Sequence, residues 1–262
     1  MHKKILFFLV LWGATFSLHA SASESVRIAV ASNFLAPLKK MANEFTQQTG
    51  IPVYLSNGAS GMLYAKIKRG APYDLFFSAD SRRPLLLEKE GLIEEGSRFT
   101  YVIGRLVAWS PDEAKVSADL SKLDPYNPAL RYLAMANPKT APYGVAAIAV
   151  LKHYGVYESL LAQKKIARGE SVGKAYQYTV TGNAQIGLVA QSYVLNPKHP
   201  VKGQIFEIPS NIYPPLNQQA IIIKGKKTAE VVQFLRFFRS DYAQNKIRSL
   251  GYDLPLTQKD VQ

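Results

Sequence analysis

"SNGASGMLYAKIKRGAPYDLFFSAD" spans residues 56–80, and its reading decides the fold. It opens on five small uncharged residues, Asn57 to Gly61, and continues into Met62, Leu63 and Ile67 at helical spacing. It closes on "DLFFSA" (74–79), an unbroken apolar run of the kind carried by a parallel strand buried on both faces. A small-residue loop, a helix and a buried strand in that order make the second half of a β-α-β unit.

The same alternation extends outward in both directions. Upstream, "IPVYLS" (51–56) is a strand, and "FLAPLKKMANEFTQQTG" before it is a helix. That helix turns Leu38, Met41, Ala42 and Phe45 to one side, sets Thr46 on the outer face and stops at Gly50. "VRIAVAS" (26–32) is the first strand, and "RRPLLLEKEG" downstream is a further helix. The pattern restarts with strands at "RLVAWS" (105–110), "RYLAMANP" (131–138) and "IGLVAQ" (186–191). Helices lie at "APYGVAAIAVLKHYG", entered through Pro142 and closed by Gly155, and at "SVGKAYQYTVTGN". "QAIIIKG" (219–225) returns as a strand, and "TAEVVQFLRFFRS" is an amphipathic helix. The expected fold is α/β in two lobes, with crossings near residues 100–105 and 212–218. Lobe 1 is then 23–102 plus 216–262, and lobe 2 is 103–215.

The first residues read "MHKKILFFLVLWGATFSLHASASES". Lys3 and Lys4, an apolar stretch from Ile5 to Trp12 and an A-x-A site at Ala20-Ser21-Ala22 make residues 1–22 a cleavable signal peptide. A membrane anchor is the alternative, but the apolar run is short of the ~20 residues that span a bilayer. The chain has no cysteine, so neither disulfides nor a lipidated cysteine is available after export. A free periplasmic protein fits both facts.

The formal net charge is +13, and removing Lys3 and Lys4 with the signal leaves 13 − 2 = +11. The basic residues are scattered ("KK" at 39–40, "KRG" at 68–70, "KGKK" at 224–227) without an Arg-rich stripe between aromatics. That distribution and export argue against nucleic acid as a partner. It leaves either a solvated surface or a field that draws in small anions.

The exported portion holds His153 in "VLKHYG", at a helix end, and His199 in "NPKHP", a surface turn. Neither has a partner at metal-ligand spacing, and no H-E-x-x-H, C-x-x-C or G-x-S-x-G signature occurs. "GASG" is too short for a Walker loop and lacks its lysine. Two strand-to-helix connections remain, Ser32-Asn33 and Asn57–Gly61. Backbone N–H groups at a helix start form an anion site, and small residues let the anion approach them. Helix capping by the same Ser and Asn side chains is the competing explanation.

"VASN", "NGASG", "GAPYDLFFSAD", "NPKTAPYG" and "TGNAQIGLVA" together resemble the periplasmic molybdate-binding proteins of ABC importers, over about residues 26 to 255. The resemblance implies a two-lobed periplasmic binding protein (type II-like) with the ligand cleft between lobes and no cofactor. It implies a receptor for molybdate or tungstate that serves an inner-membrane permease, not an enzyme, and a monomer. It points to Ser32, Asn33, Ser60, Tyr143 and Val172 as the residues holding the oxyanion, Val172 through its backbone N–H. Asn33 stands where a smaller or apolar residue is common, and Ala190 where many members carry a tyrosine, a hydroxyl that Tyr143 is expected to restore. The alternatives are a receptor for sulfate, phosphate or an organic anion, an exported enzyme using the same cleft, and a basic surface for acidic glycans.

Overall fold

The protein is described by a computed structural model covering residues 25–195 and 200–255. The signal peptide and His199 lie outside the described residues.

The chain opens with β1 (Val26–Ala31), α1 (Leu35–Thr49), β2 (Val53–Gly58), α2 (Ser60–Lys68), β3 (Leu75–Phe77) and α3 (Arg82–Lys89). β1 lies between β2 and β3 and runs parallel to both. Alternation along the strands sorts the side chains. Ile28, Val30, Leu75 and Phe77 face α1 on one side of the sheet, and Ala29 and Phe76 pack with Leu63 and Leu87 on the other. α1 buries Leu38, Met41, Ala42 and Phe45, as its spacing predicts, and ends at Gly50 with φ of 75°. That left-handed conformation carries little strain without a Cβ.

β4 (Phe99–Gly104) leads through Arg105 into β5 (Leu106–Ser110), which belongs to a second sheet. There follow β6 (Leu133–Ala136), α4 (Pro142–His153), α5 (Tyr157–Ala162), β7 (Ile166–Gly169), α6 (Val172–Val180), β8 (Ile186–Ala190), α7 (Gln191–Val194) and β9 (Gln204–Glu207). The chain then returns to the first sheet as β10 (Leu216–Ile222) and finishes with α8 (Ala229–Phe238) and α9 (Asp241–Arg248). The sheets run β2-β1-β3-β10-β4 and β7-β6-β8-β5-β9. β10 is antiparallel to β3 and β4, and β5 is antiparallel to β8 and β9. The α/β class expected from the sequence is the class adopted.

Several elements differ from the expectation. β2 stays in register with β1 as far as the Ala31–Gly58 pair, so Asn57 and Gly58 are strand residues and not loop. β2 is an edge strand with its side chains partly open to solvent, so it takes polar residues without penalty. The connection to α2 shrinks to Ala59. β10 begins at Leu216, three residues before the expected start, because its polar residues Asn217, Gln218 and Gln219 pair with β4. β4 was expected only as a crossing near residues 100–105, and β7, β9, α5 and α9 were not read from the sequence. Thr46 is not an idle outer-face residue: its hydroxyl donates to the Ile51 carbonyl at 2.9 Å.

The sheets meet at the carboxyl ends of β1, β2 and β3. Ala31, Ala59 and Ala79 belong to one apolar cluster with Met135, Tyr143 and Val172 of the second sheet's layer. Three alanines there allow the backbones to approach closely.

Candidate functional site

Four helical segments start at the junction between the sheets. A 3-10 turn, Ser32–Phe34, follows β1 and runs straight into α1. α2 starts at Ser60, one residue after β2. α4 starts at Pro142, and α6 starts at Val172 beside the N-cap Ser171. These starts follow the carboxyl ends of β1, β2, β6 and β7, where open parallel sheets place their ligands.

The four starts line one small cavity. Its volume is ≈ 10 Å³, and Ser32, Asn33, Ser60, Tyr143 and Val172 all line it, together with small residues such as Ala59, Ala79 and Ala141. That volume admits the centre of one small group, about the room one water needs. The first N–H groups of a helix have no partner within it and sit at the positive end of its dipole. Pro142 has no N–H, so the first one α4 presents is that of Tyr143. No charged side chain lines the cavity. The arrangement can hold a compact anion by neutral donors from several directions at once. A lysine or arginine in the same place would itself have to be desolvated.

The side chains are less exposed than expected. Ser32 and Ser60 sit in strand-to-helix connections, where solvent access is the ordinary case, but Ser60 is 1 % exposed and Ser32 8 %. The closeness of the two sheets buries them. Ser60 Oγ accepts from the Ala79 N–H at 2.9 Å, tying the start of α2 to the end of β3. Ser32 Oγ accepts from the Gly173 N–H at 3.3 Å, a bond from one sheet's layer to the other's. Nearby, Tyr193 O–H donates to the Ser32 carbonyl at 2.8 Å and Gly61 N–H to the Thr140 carbonyl at 2.9 Å. The cleft is closed.

Asn33 and Tyr143 do not simply offer donors to the cavity. Asn33 Nδ2 donates to Gln218 Oε1 at 2.8 Å, while its Oδ1 is buried without a partner. The Tyr143 hydroxyl was expected to replace the one absent at Ala190. It lies against Gly104 and accepts from Gln218 Nε2 at 3.4 Å, and neither of those residues lines the cavity. The Tyr252 hydroxyl donates to the Asn33 carbonyl. Burial raises the Tyr101, Tyr143, Tyr193 and Tyr252 hydroxyls above the ordinary tyrosine range, so all four stay neutral and protonated at physiological pH. Gln218, Tyr101, Tyr193 and Tyr252 went unread in the sequence. The one local signal was a glutamine in front of an apolar strand.

"GAPYDLFFSAD" is accounted for structurally. Asp74 Oδ2 accepts from the Arg27 N–H at 2.7 Å, locking β3 to β1. Asp80 Oδ1 accepts from the Ser78 hydroxyl and the Arg83 N–H, and its other oxygen pairs with the Arg83 guanidinium. His153 closes α4 and meets the Tyr154 ring edge-on, with centroids 5.1 Å apart. Among the described residues no group of three His, Cys, Asp or Glu is placed to hold a metal ion. No described helix is long and apolar enough to cross a membrane.

Residues 26–253 match the family described as "Bacterial extracellular solute-binding protein". The molybdate-binding protein ModA of Azotobacter vinelandii is 38% identical over 247 residues, 94% of this chain and 96% of that protein. ModA of Rhodobacter capsulatus is 40% identical, covering 90% of each chain. The solved Azotobacter vinelandii periplasmic molybdate-binding protein superposes with a TM-score of 0.80, covering 88% of this chain and all of that one. The chain belongs to the bacterial extracellular solute-binding proteins and, within them, to the ModA molybdate-binding protein family.

Proposed function

We propose that this protein is the periplasmic receptor that captures molybdate, or tungstate, and delivers it to the permease of an ABC importer. The observation that carries the reading is the convergence of four helix starts on one small cavity without a charged side chain. Ser32, Ser60, Tyr143 and Val172 supply backbone N–H groups, the two serines add hydroxyls, and Asn33 adds its amide. The oxyanion is cargo, and the protein uses no cofactor.

Lobe 1 is residues 23–104 plus 216–262 and lobe 2 is 105–215, since Ile103 and Gly104, expected in lobe 2, pair with Asn217 and Leu216 of β10, and residues 1–22 are removed on export to the periplasm. The protein acts as a monomer and performs no turnover. In keeping with that, the Ser32 and Ser60 hydroxyls face backbone N–H groups and not a general base. The general basicity of the surface raises the local concentration of anions. Calorimetric titration with molybdate, tungstate, sulfate and phosphate tests the reading. Saturable heat with the first two and little with the others is expected, and selective binding of sulfate would replace the assignment.

A further inference from the structure

Gln218 is completely buried and stands at the centre of a polar network between the two sheets. Its Oε1 accepts from Asn33 Nδ2 at 2.8 Å and from the Tyr101 hydroxyl at 2.9 Å. Its Nε2 donates to the Tyr143 oxygen at 3.4 Å. A β-bulge aims these groups: Gln218 pairs with Val102 and Gln219 with Thr100, leaving Tyr101 as the extra residue of β4.

This polarity leaves one buried acceptor, Asn33 Oδ1, unpaired on a residue that lines the cavity. An unpaired amide oxygen beside a dianion is unfavourable on both counts. Turning the Asn33 amide alone would set Oδ1 against Gln218 Oε1, two acceptors face to face. Turning both amides removes the conflict. Gln218 Nε2 then donates to Asn33 Oδ1 and to the Tyr101 oxygen. The Tyr101 hydroxyl keeps its bond to the Ser78 carbonyl, already 3.1 Å away. Gln218 Oε1 accepts from the Tyr143 hydroxyl, and Asn33 Nδ2 takes the place of Oδ1 on a residue that lines the cavity. The reversal gives up the 3.4 Å bond from Asn33 Nδ2 to the Tyr252 oxygen, leaves that hydroxyl its bonds to the Asn33 carbonyl and Ser192 Oγ, and gains the site a donor.

We propose that Asn33 and Gln218 form a two-state amide relay, in which an entering fully deprotonated oxyanion reverses both amides together. Gln218 is a positioning residue that never touches the ligand, and the relay rests on the reading that the cavity holds an oxyanion. The loaded polarity offers a donor to an anion that carries no proton, whereas an anion that carries one is met only by the empty polarity, through Asn33 Oδ1.

The test is a calorimetric double-mutant cycle with sodium molybdate on Asn33→Ala, Gln218→Met and the double variant, with side-chain amide NMR on the unaltered ¹⁵N-labelled protein. Each single variant should bind about tenfold more weakly or worse, with the double variant within about threefold of the weaker single. Tyr143→Phe should give a smaller loss than Asn33→Ala. Saturating molybdate should shift the side-chain amide resonances of both Asn33 and Gln218, a readout that does not depend on the variants folding. The relay is overturned if either resonance stays in place, if the single losses multiply, or if Asn33→Ala tightens binding by deleting the unpaired oxygen. Absence of heat from the unaltered protein would overturn the underlying reading as well, while normal heat with unmoved resonances overturns the relay alone.

Discussion

The Gly173 N–H reaches across the cleft to Ser32 Oγ, 3.3 Å away, and a Cβ at position 173 would lie 3.2 Å from Ser32 Cβ and 2.9 Å from the Tyr193 hydroxyl. Gly61 stands on the opposite side of the cleft in the same situation, where a Cβ would meet the Thr140 carbonyl oxygen at 2.9 Å. Both glycines are helical and have ordinary φ, so closeness and not conformational freedom calls for them. They are among the points at which the two sheets' layers touch when the cleft is shut.

Gly61→Ala should therefore separate stability from binding. Alanine is favoured over glycine inside a helix by up to about 1 kcal/mol, so the ligand-free melting temperature should hold or rise slightly. Closure against the rigid Thr140 carbonyl becomes harder, and molybdate affinity should fall at least ~10-fold, equivalent to 1.4 kcal/mol. Gly173→Ala should lose less, because the tip of Tyr193 can yield. Differential scanning calorimetry and titration on the same samples check both halves. Unchanged affinity in Gly61→Ala would show that the closed contact does not matter for binding.

Ser32→Ala and Ser60→Ala should each weaken molybdate binding by about ten- to a hundredfold, the worth of a hydrogen bond to a charged group. Their effects on folding should differ. Ser60→Ala leaves the buried Ala79 N–H without its acceptor, at about 1–3 kcal/mol of stability. Ser32→Ala frees an N–H at the opening cleft, where water can replace the hydroxyl, and should cost less. Gln47→Ala, exposed on α1, is the control in place of Thr46, whose hydroxyl is bonded to Ile51. Urea denaturation beside calorimetry resolves the two effects, and equal affinity losses in all three variants would reduce the serines to ordinary helix caps.

Phe34 anchors the Ser32-Asn33 turn from beneath. Its ring is fully buried, with centroids 4.7 Å from Tyr101, 5.3 Å from Tyr252 and 6.2 Å from both Phe77 and Phe238. Phe34→Ala should destabilise the protein by about 3–5 kcal/mol and loosen the turn as well. Phe34→Leu, which keeps most of the volume, should recover much of both losses. Stability measured by denaturant midpoint decides this, and a loss under ~1 kcal/mol for Phe34→Ala would mean that the cluster is not close-packed.

The pH dependence follows from the buried hydroxyls. Burial raises Tyr101, Tyr143, Tyr193 and Tyr252 in the folded state above their unfolded value near 10. The neutral form is the one the fold favours, so this contribution is fully present below about pH 10 and is lost as pH rises beyond it. Stability should be insensitive to these groups between pH 6.5 and 8 and fall steeply in alkali. Molybdate affinity should likewise change little from pH 6.5 to 8, because the cavity has no carboxylate, lysine or histidine on its wall. Denaturant midpoints and titrations across that range and above pH 10 check the two statements together.

Much of the fold is written locally. β1, α1, β3 and α4 carry patterns that name their own class, and Pro142 and Gly50 mark ends where a missing N–H or a positive φ is needed. Ser32, Asn33 and Ser60 were legible as short-range strand-to-helix junctions, whereas Tyr143 and Val172 came only from the family resemblance. What stayed hidden is long-range. Gln218 and Asn33 are 185 residues apart, and Tyr252 and Asn33 219 apart, so nothing near any of them in the chain announces the network. β10 was started at Gln219, directly beside its apolar run, because Asn217 and Gln218 show no apolar pattern, and that boundary removed the central residue of the network from view. Asn57 and Gly58 looked like loop for the same reason, since an edge strand tolerates what a central strand does not.

The most direct test of the central claim is a titration of the unaltered protein with sodium molybdate at pH 7, run beside sodium sulfate and sodium phosphate. One anion per chain, saturable for molybdate and at least ~100-fold weaker for phosphate, is the expected result. A proton on phosphate would face N–H donors that cannot accept it, and its one acceptor, Asn33 Oδ1, is offered only in the empty polarity, which withholds the amide donor. Phosphate binding within about tenfold of molybdate would contradict the account, because Asn33 would then have to keep its oxygen, and not its amide nitrogen, toward the anion.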